Sequence, residues 1–231
     1  MTEKAVVLLS GGLDSSTVLA YALKRGMDCT ALTFSYGQRH SKENDSARAI
    51  ASRYAVQLRE AKINISDLIE SSLTGYGNIE HRPLDEIENS IPNTYVPARN
   101  IIMISIAAGL AQTIGATTVF IGANALDYSG YPDCRPEFFN AMEEAINIGT
   151  GSYANNQMKL EVPLQYLKKS EIIKMGMKLR VPYELTWSCY EGKDEACGMC
   201  DSCQLRLRGF QEAGIPDPIK YSRYPDFYLL I

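Results

Sequence analysis

Nowhere in the chain do about 18 apolar residues follow one another, so no membrane span is expected. The opening Met1-Thr2-Glu3-Lys4 lacks the basic stretch and long apolar core of a secretory signal, which makes the cytoplasm the expected compartment. Basic charge is not in excess either: 23 Lys and Arg stand against 27 Asp and Glu, for a net charge of −4. That balance argues against a broad nucleic-acid footprint. Lys168, Lys169 and Lys174, close together in one helical pattern, read as a local basic stripe or, as such lysines more often are, a solvated set. There is no internal repeat and no low-complexity segment, and histidine occurs only twice.

What is present is an alternating pattern. The 231 residues, 45% of them hydrophobic, suffice for one large or two small domains with a sizeable core. Residues 4–9 form a short apolar run stopped by Gly11-Gly12, the pattern of a buried parallel strand. Val18, Leu19, Ala22 and Leu23 then recur at helical spacing until Gly26. Further strand patterns cover 29–34, 57–63, 117–121 and 159–162. Helical patterns cover 43–54, 100–114, 136–148 and 170–179. Ser170 reads as the cap of the last, and 100–114 is apolar enough to predict burial on most sides. Residues 64–98 are polar and turn-rich, as a lid or binding loop is. Strands alternating with helices predict an α/β fold with a parallel sheet and right-handed crossovers.

Between the first strand and helix lies Ser10-Gly11-Gly12-Leu13-Asp14-Ser15-Ser16. Such a turn presents several backbone N–H groups together with the positive end of a helix, which suits phosphate. Glycine lets the backbone approach phosphate without a Cβ clash, and Ser10, Ser15 and Ser16 add hydroxyl donors. The lysine of a Walker A loop is absent, and the spacing is not that of a dinucleotide G-x-G-x-x-G. The other reading of the same residues is a plain strand-to-helix turn with Asp14 or Ser15 as cap. Gly122 closes the fourth strand pattern at its carboxyl end, where open α/β sheets bind ligands; it either admits a ligand closely or merely ends the strand.

Of six cysteines, Cys29 and Cys134 stand alone, while Cys189, Cys197, Cys200 and Cys203 follow the spacing C-x7-C-x2-C-x2-C. Clustered thiols without an export signal read as a metal site in a reducing compartment. Four thiolates suit tetrahedral zinc, and because they fill every position the metal would be structural, pinning residues 204–210 to the rest. An iron–sulfur cluster remains the alternative.

The glycine loop resembles the pyrophosphate loop of the ATP pyrophosphatase (PP-loop) superfamily, whose members split ATP between its α- and β-phosphates and attach AMP to a substrate oxygen. That resemblance implies a Rossmann-like parallel five-stranded sheet. It also implies nucleotide contacts from Leu9, Ser10, Gly11, Gly12, Leu13, Asp14, Ser15, Ser16, Thr17 and Gly122. Tyr36-Gly37-Gln38-Arg39-His40, the segment from Pro92 to Asn100, Ser129-Gly130-Tyr131-Pro132-Asp133-Cys134-Arg135 and the four-cysteine segment resemble the QueC family, the 7-cyano-7-deazaguanine synthases.

The family resemblance implies ATP-dependent conversion of 7-carboxy-7-deazaguanine and ammonia to 7-cyano-7-deazaguanine (preQ0) through adenylated intermediates and an amide, in queuosine or related deazapurine biosynthesis. It implies ATP, Mg²⁺ and one structural zinc per chain, no direct nucleic-acid partner, and a homodimer. Residues 1–185 are expected to form the nucleotide-binding domain and 186–231 a zinc-binding helical segment packed on it. The implied catalytic residues are Asp14, Arg39 and Arg99, with Tyr131, Asp133 and Arg135 as substrate contacts and the four cysteines as metal ligands. His40 reads as a phosphate donor or a loop brace, and Cys134 as a packing or substrate-contact residue; no side-chain nucleophile is expected. The rivals are a PP-loop tRNA-modifying enzyme, an ATP-sensing module without turnover, and a paralogue that stops at the amide or passes the activated deazaguanine on.

Overall fold

The apolar run near the amino terminus becomes β1 (Lys4–Leu8), and Gly11-Gly12 turns it into α1 (Leu13–Lys24). The chain continues through β2 (Asp28–Ser35), α2 (Lys42–Arg53), β3 (Gln57–Lys62), a short α3 (Leu84–Ile87), α4 (Arg99–Ile114), β4 (Thr118–Phe120), α5 (Pro136–Gly149), β5 (Lys159–Glu161), α6 (Lys169–Lys178) and α7 (Asp201–Ala213). This computed structural model describes residues 2–87, 91–125, 131–152 and 157–228. The five strands lie in the order β3-β2-β1-β4-β5, and every pair is parallel. The order reverses at β1. Right-handed crossovers therefore put the helices that follow β1 and β2 on one face, and those that precede β4 and β5 on the other.

Each face has its own core. Val18, Leu19, Ala47, Ile50, Ile172, Ile173 and Phe210 gather α1, α2, α6 and α7 on one side. Ile104, Ala107, Ala111, Phe139 and Ile146 gather α4 and α5 on the other. Both faces of the inner strands β1, β2 and β4 are covered, which is why these read as apolar runs, whereas the edge strand β3 is largely polar.

Several expectations change. α4 is not buried on most sides: Ile104, Ala107, Ala108 and Ala111 are, but Ile101 is 45% exposed, because the sheet covers one flank only. Ser170 does not cap α6. The helix begins one residue earlier, Glu171 accepts from the Lys168 N–H at 2.8 Å, and Ser170 is buried within the first turn. The stretch 64–98 is not wholly irregular, since it holds a 3₁₀ turn at Ser72–Thr74, capped by the Ser71 hydroxyl, and α3. Ser129 and Gly130 of one quoted segment lie outside the described residues.

A third, smaller core joins the four cysteines with Ala196, Leu207 and Tyr221. The chain end folds back on this core: Tyr228 packs against it, Tyr224 stacks on Tyr228 at 5.3 Å, and Gln211 donates to the Phe227 carbonyl. Residues 229–231 are outside the described set. Among the described residues no helix is long and apolar enough to cross a membrane.

Candidate nucleotide cleft and metal centre

A cleft of about 270 Å³ opens at the carboxyl ends of β1 and β4, where the strand order reverses. Leu9, Ser10, Gly12, Leu13, Asp14, Ser15 and Gly122 line it, as do Arg39, Arg99 and Tyr131. Of the other positions expected to touch nucleotide, Gly11, Ser16 and Thr17 are not on its wall. Gly11 is buried with φ +86°, and a Cβ there would lie 2.2 Å from the Glu43 carbonyl oxygen and 2.7 Å from the Ala47 nitrogen. Glycine is thus required so that α2 can close against the loop. The Ser16 hydroxyl donates to the Gly12 carbonyl at 2.7 Å, and Thr17 Oγ1 sits between the Leu13 carbonyl and the Tyr183 hydroxyl, both at 2.9 Å. These two hydroxyls hold the first turn of α1 in place. Neither Asp14 nor Ser15 caps α1; Gly12 occupies the cap position. At Gly122 a Cβ would lie 2.9 Å from the Ser15 nitrogen, so this glycine lets β4 approach the loop itself.

Ser10 and Ser15 face each other with their hydroxyl oxygens 3.0 Å apart, and Ser10 Oγ also accepts from the Gly12 N–H at 3.3 Å. Beside them Asp14 takes Lys169 Nζ on both carboxylate oxygens, at 3.0 and 2.8 Å. Lys169 corrects the sequence reading: Lys168 and Lys174 are exposed, but Lys169 is 6% exposed and on the cleft wall. It arrives there because the loop after β4 is tied to the loop before α6. Asn124 Nδ2 donates to the Leu164 carbonyl at 3.1 Å and the Ala125 N–H to Gln165 at 3.0 Å. Its stem crosses α7 at Gly209, where a Cβ would sit 2.3 Å from Lys169 Cγ.

The structure brings Arg39 and Arg99 to the cleft but not Asp133 or Arg135. Arg39 is exposed and donates to the Gly77 carbonyl. Arg135 is exposed away from the wall. Asp133 is buried behind α4, where Oδ2 faces the Asn100 N–H at 3.4 Å and Oδ1 has no partner among the described residues. Burial pushes its carboxyl up, against the pull of Arg99. Tyr131 shares a hydrogen bond with the Thr94 hydroxyl at 3.1 Å. Cys134 lines the cleft, and burial pushes its thiol up to about 12, so it stays protonated. His40 is a brace: its Nε2 donates to the Tyr190 carbonyl at 3.1 Å, and burial pulls its pKa down, keeping the ring neutral.

Sequence reasoning missed Glu43, Tyr36, Lys169, Trp187, Tyr190 and Arg206, all on the wall. Glu43 sits in the first turn of α2, a largely polar helix. It keeps an opening to the cleft but is enclosed by protein on its other sides, and burial raises its carboxyl to about 7 despite Arg99. Arg206 is a structural ion: it is 2% exposed, meets Asp217 at 2.7 and 2.9 Å and donates to Thr186 Oγ1 at 2.7 Å. Only its place opposite Asp217 on a buried helix marks it, and spacing in sequence does not show that.

The four cysteine sulfurs Cys189, Cys197, Cys200 and Cys203 lie within 4.8 Å of one another, all buried and none in a disulfide. Cys197 and Cys203 sulfurs are 3.9 Å apart, close to the edge of about 3.8 Å that a tetrahedron with Zn–S bonds near 2.3 Å has. Backbone N–H groups of Glu191 and Cys197 point at Cys189 Sγ (3.4 and 3.3 Å), and those of Met199 and Cys200 at Cys197 Sγ (3.4 and 3.3 Å). Such donors stabilise thiolate ligands. Neighbouring thiols, Cys197 first, pull the Cys189 thiol well below its ordinary value. The donor set fits zinc.

The family model described as "Queuosine biosynthesis protein QueC" matches residues 4–214. The chain belongs to the QueC family. Among its QueC-type relatives, the 7-cyano-7-deazaguanine synthase of Thermoplasma volcanium is 59% identical over 228 residues, covering 99% of this chain and 95% of that protein. The synthase of Nostoc punctiforme is 50% identical over 223 residues, 95% of this chain and 100% of that protein. Among solved structures, the NMN synthetase of Francisella tularensis superposes with a TM-score of 0.50 over 93% of this chain and 78% of that one. At 18% identity the likeness concerns the fold alone.

Proposed function

We propose that this QueC-family chain is an ATP-dependent C–N ligase that converts 7-carboxy-7-deazaguanine and ammonia to 7-cyano-7-deazaguanine, a small-molecule enzyme of the cytoplasm. The observation that carries this reading is near-full-length identity of 59% to a protein named for that product. A carboxylate is a poor electrophile, so one oxygen must first become a leaving group. Attack of that oxygen on the α-phosphate of ATP releases pyrophosphate and gives an acyl adenylate; ammonia displaces AMP to give the amide. Adenylation of the amide oxygen and loss of AMP then leave the nitrile. Both activations ask for pyrophosphate held by fixed donors.

The loop supports this: Ser10, Ser15 and the backbone around Gly12 would receive the phosphates, with Lys169, Arg39 and Arg99 as cations on the wall. Asp14 is the residue to hold Mg²⁺, which when bound neutralises phosphate charge. Tyr131 is the better-placed substrate contact; Asp133 and Arg135, off the wall, keep only an indirect part in this reading. Cys189, Cys197, Cys200 and Cys203 would hold one structural zinc, with 186–231 as the segment it organises on a 1–185 nucleotide domain. The homodimer belongs to the same reading and is tested by light scattering at micromolar concentration. Mass spectrometry of the product from 7-carboxy-7-deazaguanine, ATP and ammonium tests the whole. The nitrile mass is expected. The amide mass would assign a ligase that stops halfway, and no pyrophosphate release would overturn the reading.

A further inference from the structure

We propose that Glu43 captures ammonium in the cleft and accepts the proton it must lose before it can attack the activated carboxyl carbon. The inference rests on the proposed function and adds a catalytic residue to it.

The first argument is one of charge. A cleft that takes up a triphosphate and a carboxylic acid is weakened by any carboxylate of its own, unless that carboxylate serves a cation or a proton. Two line this cleft, Asp14 and Glu43. Asp14 has Lys169 on both oxygens. The Glu43 side chain accepts no hydrogen bond from any described residue, and its backbone is held against the loop, where a Cβ on Gly11 would meet the Glu43 carbonyl oxygen at 2.2 Å. It lines the cleft from the first turn of α2, on the same wall as Ser10, Gly12 and Ser15.

The surroundings select the cation. Arg99 of α4 and Tyr36 after β2 face Glu43, with Cys189 beyond them on the carboxyl-terminal segment. Magnesium demands about six oxygen ligands and keeps its waters, and the Arg99 guanidinium repels a dication more than a monocation. Ammonium needs only a carboxylate and a few weak acceptors, and the aromatic residues Tyr36, Trp187 and Tyr190 on the same wall are side chains of a kind that suits a small monocation. Trp187 already carries one, with Lys42 Nζ 5.4 Å from its ring centre.

The proton then has a destination. Burial raises the Glu43 carboxyl to about 7, close to where a general base at neutral pH works well. Ammonium gives its proton to the carboxylate, leaving ammonia and a neutral carboxyl group. The freed lone pair forms the C–N bond at the acyl adenylate carbon. The C–O bond to AMP breaks, its electrons leave with the phosphate, and the surplus proton on nitrogen passes to water. Glu43 returns its own proton to solvent through the cleft mouth.

The test separates activation from amination. Exchange of pyrophosphate into ATP, dependent on 7-carboxy-7-deazaguanine, reads adenylation without any nitrogen donor; product formation against ammonium concentration and pH reads the next step. Glu43→Gln is expected to keep exchange within about threefold and to lose about 10²-fold or more in kcat/KM for ammonium. The loss should shrink as rising pH supplies free ammonia. Glu43→Asp, which keeps a carboxylate, should recover part of it, and thermal melts confirm that both variants fold. Equal loss of exchange in Glu43→Gln would place Glu43 with ATP, Mg²⁺ or the acid and overturn the proposal. An unchanged ammonium dependence would overturn it too. Absence of exchange in the parent protein would instead bring down the proposed function itself.

Discussion

Single side chains in the cleft divide by what else they hold up. Ser10 bonds only to its loop neighbours, so Ser10→Ala is expected to cost about 10²–10³ in kcat while leaving the melting temperature nearly unchanged. Asp14 is different, because it neutralises Lys169, whose side chain is 7% exposed. Asp14→Ala would strand a buried ammonium and should cost about 3–5 kcal/mol of stability as well as activity. Urea melts of the two variants check the contrast, and an Asp14→Ala protein as stable as the parent would mean that Lys169 finds another partner. Glu43 adds a pH signature. Burial raises its folded-state pKa to about 7, with Arg99 opposing and Cys189 reinforcing. The folded protein therefore holds a proton that the unfolded chain releases, and stability falls as pH rises from the unfolded value through 7. Glu43→Gln should melt higher than the parent at pH 8, by on the order of 1–2 kcal/mol, and lose that advantage near pH 5.

At the scale of elements, the inner strands were legible because burial on both faces writes apolar runs, and α1 writes a clean helical period. All five strands fall within a residue or two of the periods read from sequence. The glycine–serine turn between β1 and α1 was legible for a different reason: its glycines and serines are local chemistry. What sequence could not show is which residues meet across elements. Lys169 reads as solvated until β4 and β5 are placed side by side, and nothing in the sequence marks Glu43 until α2 is seen against Gly11. The apolar surplus of α4 misled because an outer flank can carry isoleucine without burying it. The same contact gives a prediction. Gly11→Ala must push α2 off the loop, since the new Cβ meets a backbone oxygen at 2.2 Å in a conformation only glycine adopts freely. A loss of about 2 kcal/mol or more in thermal unfolding is expected, with weaker ATP binding by calorimetry. An unperturbed Gly11→Ala protein would show that α2 and the loop are not the rigid pair described.

For the whole molecule the metal centre and the cleft are one construction. Cys189 is two residues from Trp187, whose N–H donates to the Gly11 carbonyl at 3.0 Å, and one from Tyr190, which lines the cleft and accepts from His40. Arg206, three residues beyond Cys203, clamps the same stretch at Tyr183, Thr186 and Ser188. A site that fixes the four sulfurs therefore also fixes one wall of the cleft. Structural zinc of this kind carries about 10–16 kcal/mol of binding free energy, so its loss should be felt well beyond the cysteines. One zinc per chain is expected by elemental analysis, and Cys200→Ser should release it and lower the melting temperature. Chelation should weaken ATP binding before the sheet unfolds, because the wall loosens first while β1 to β5 keep their own cores on both faces. Following ATP affinity and far-ultraviolet circular dichroism together during titration with a chelator checks the order of events. Iron with a visible chromophore in place of zinc would overturn the metal assignment, and simultaneous loss of both signals would show that the cysteine segment is part of a single cooperative unit rather than a wall fastened to one.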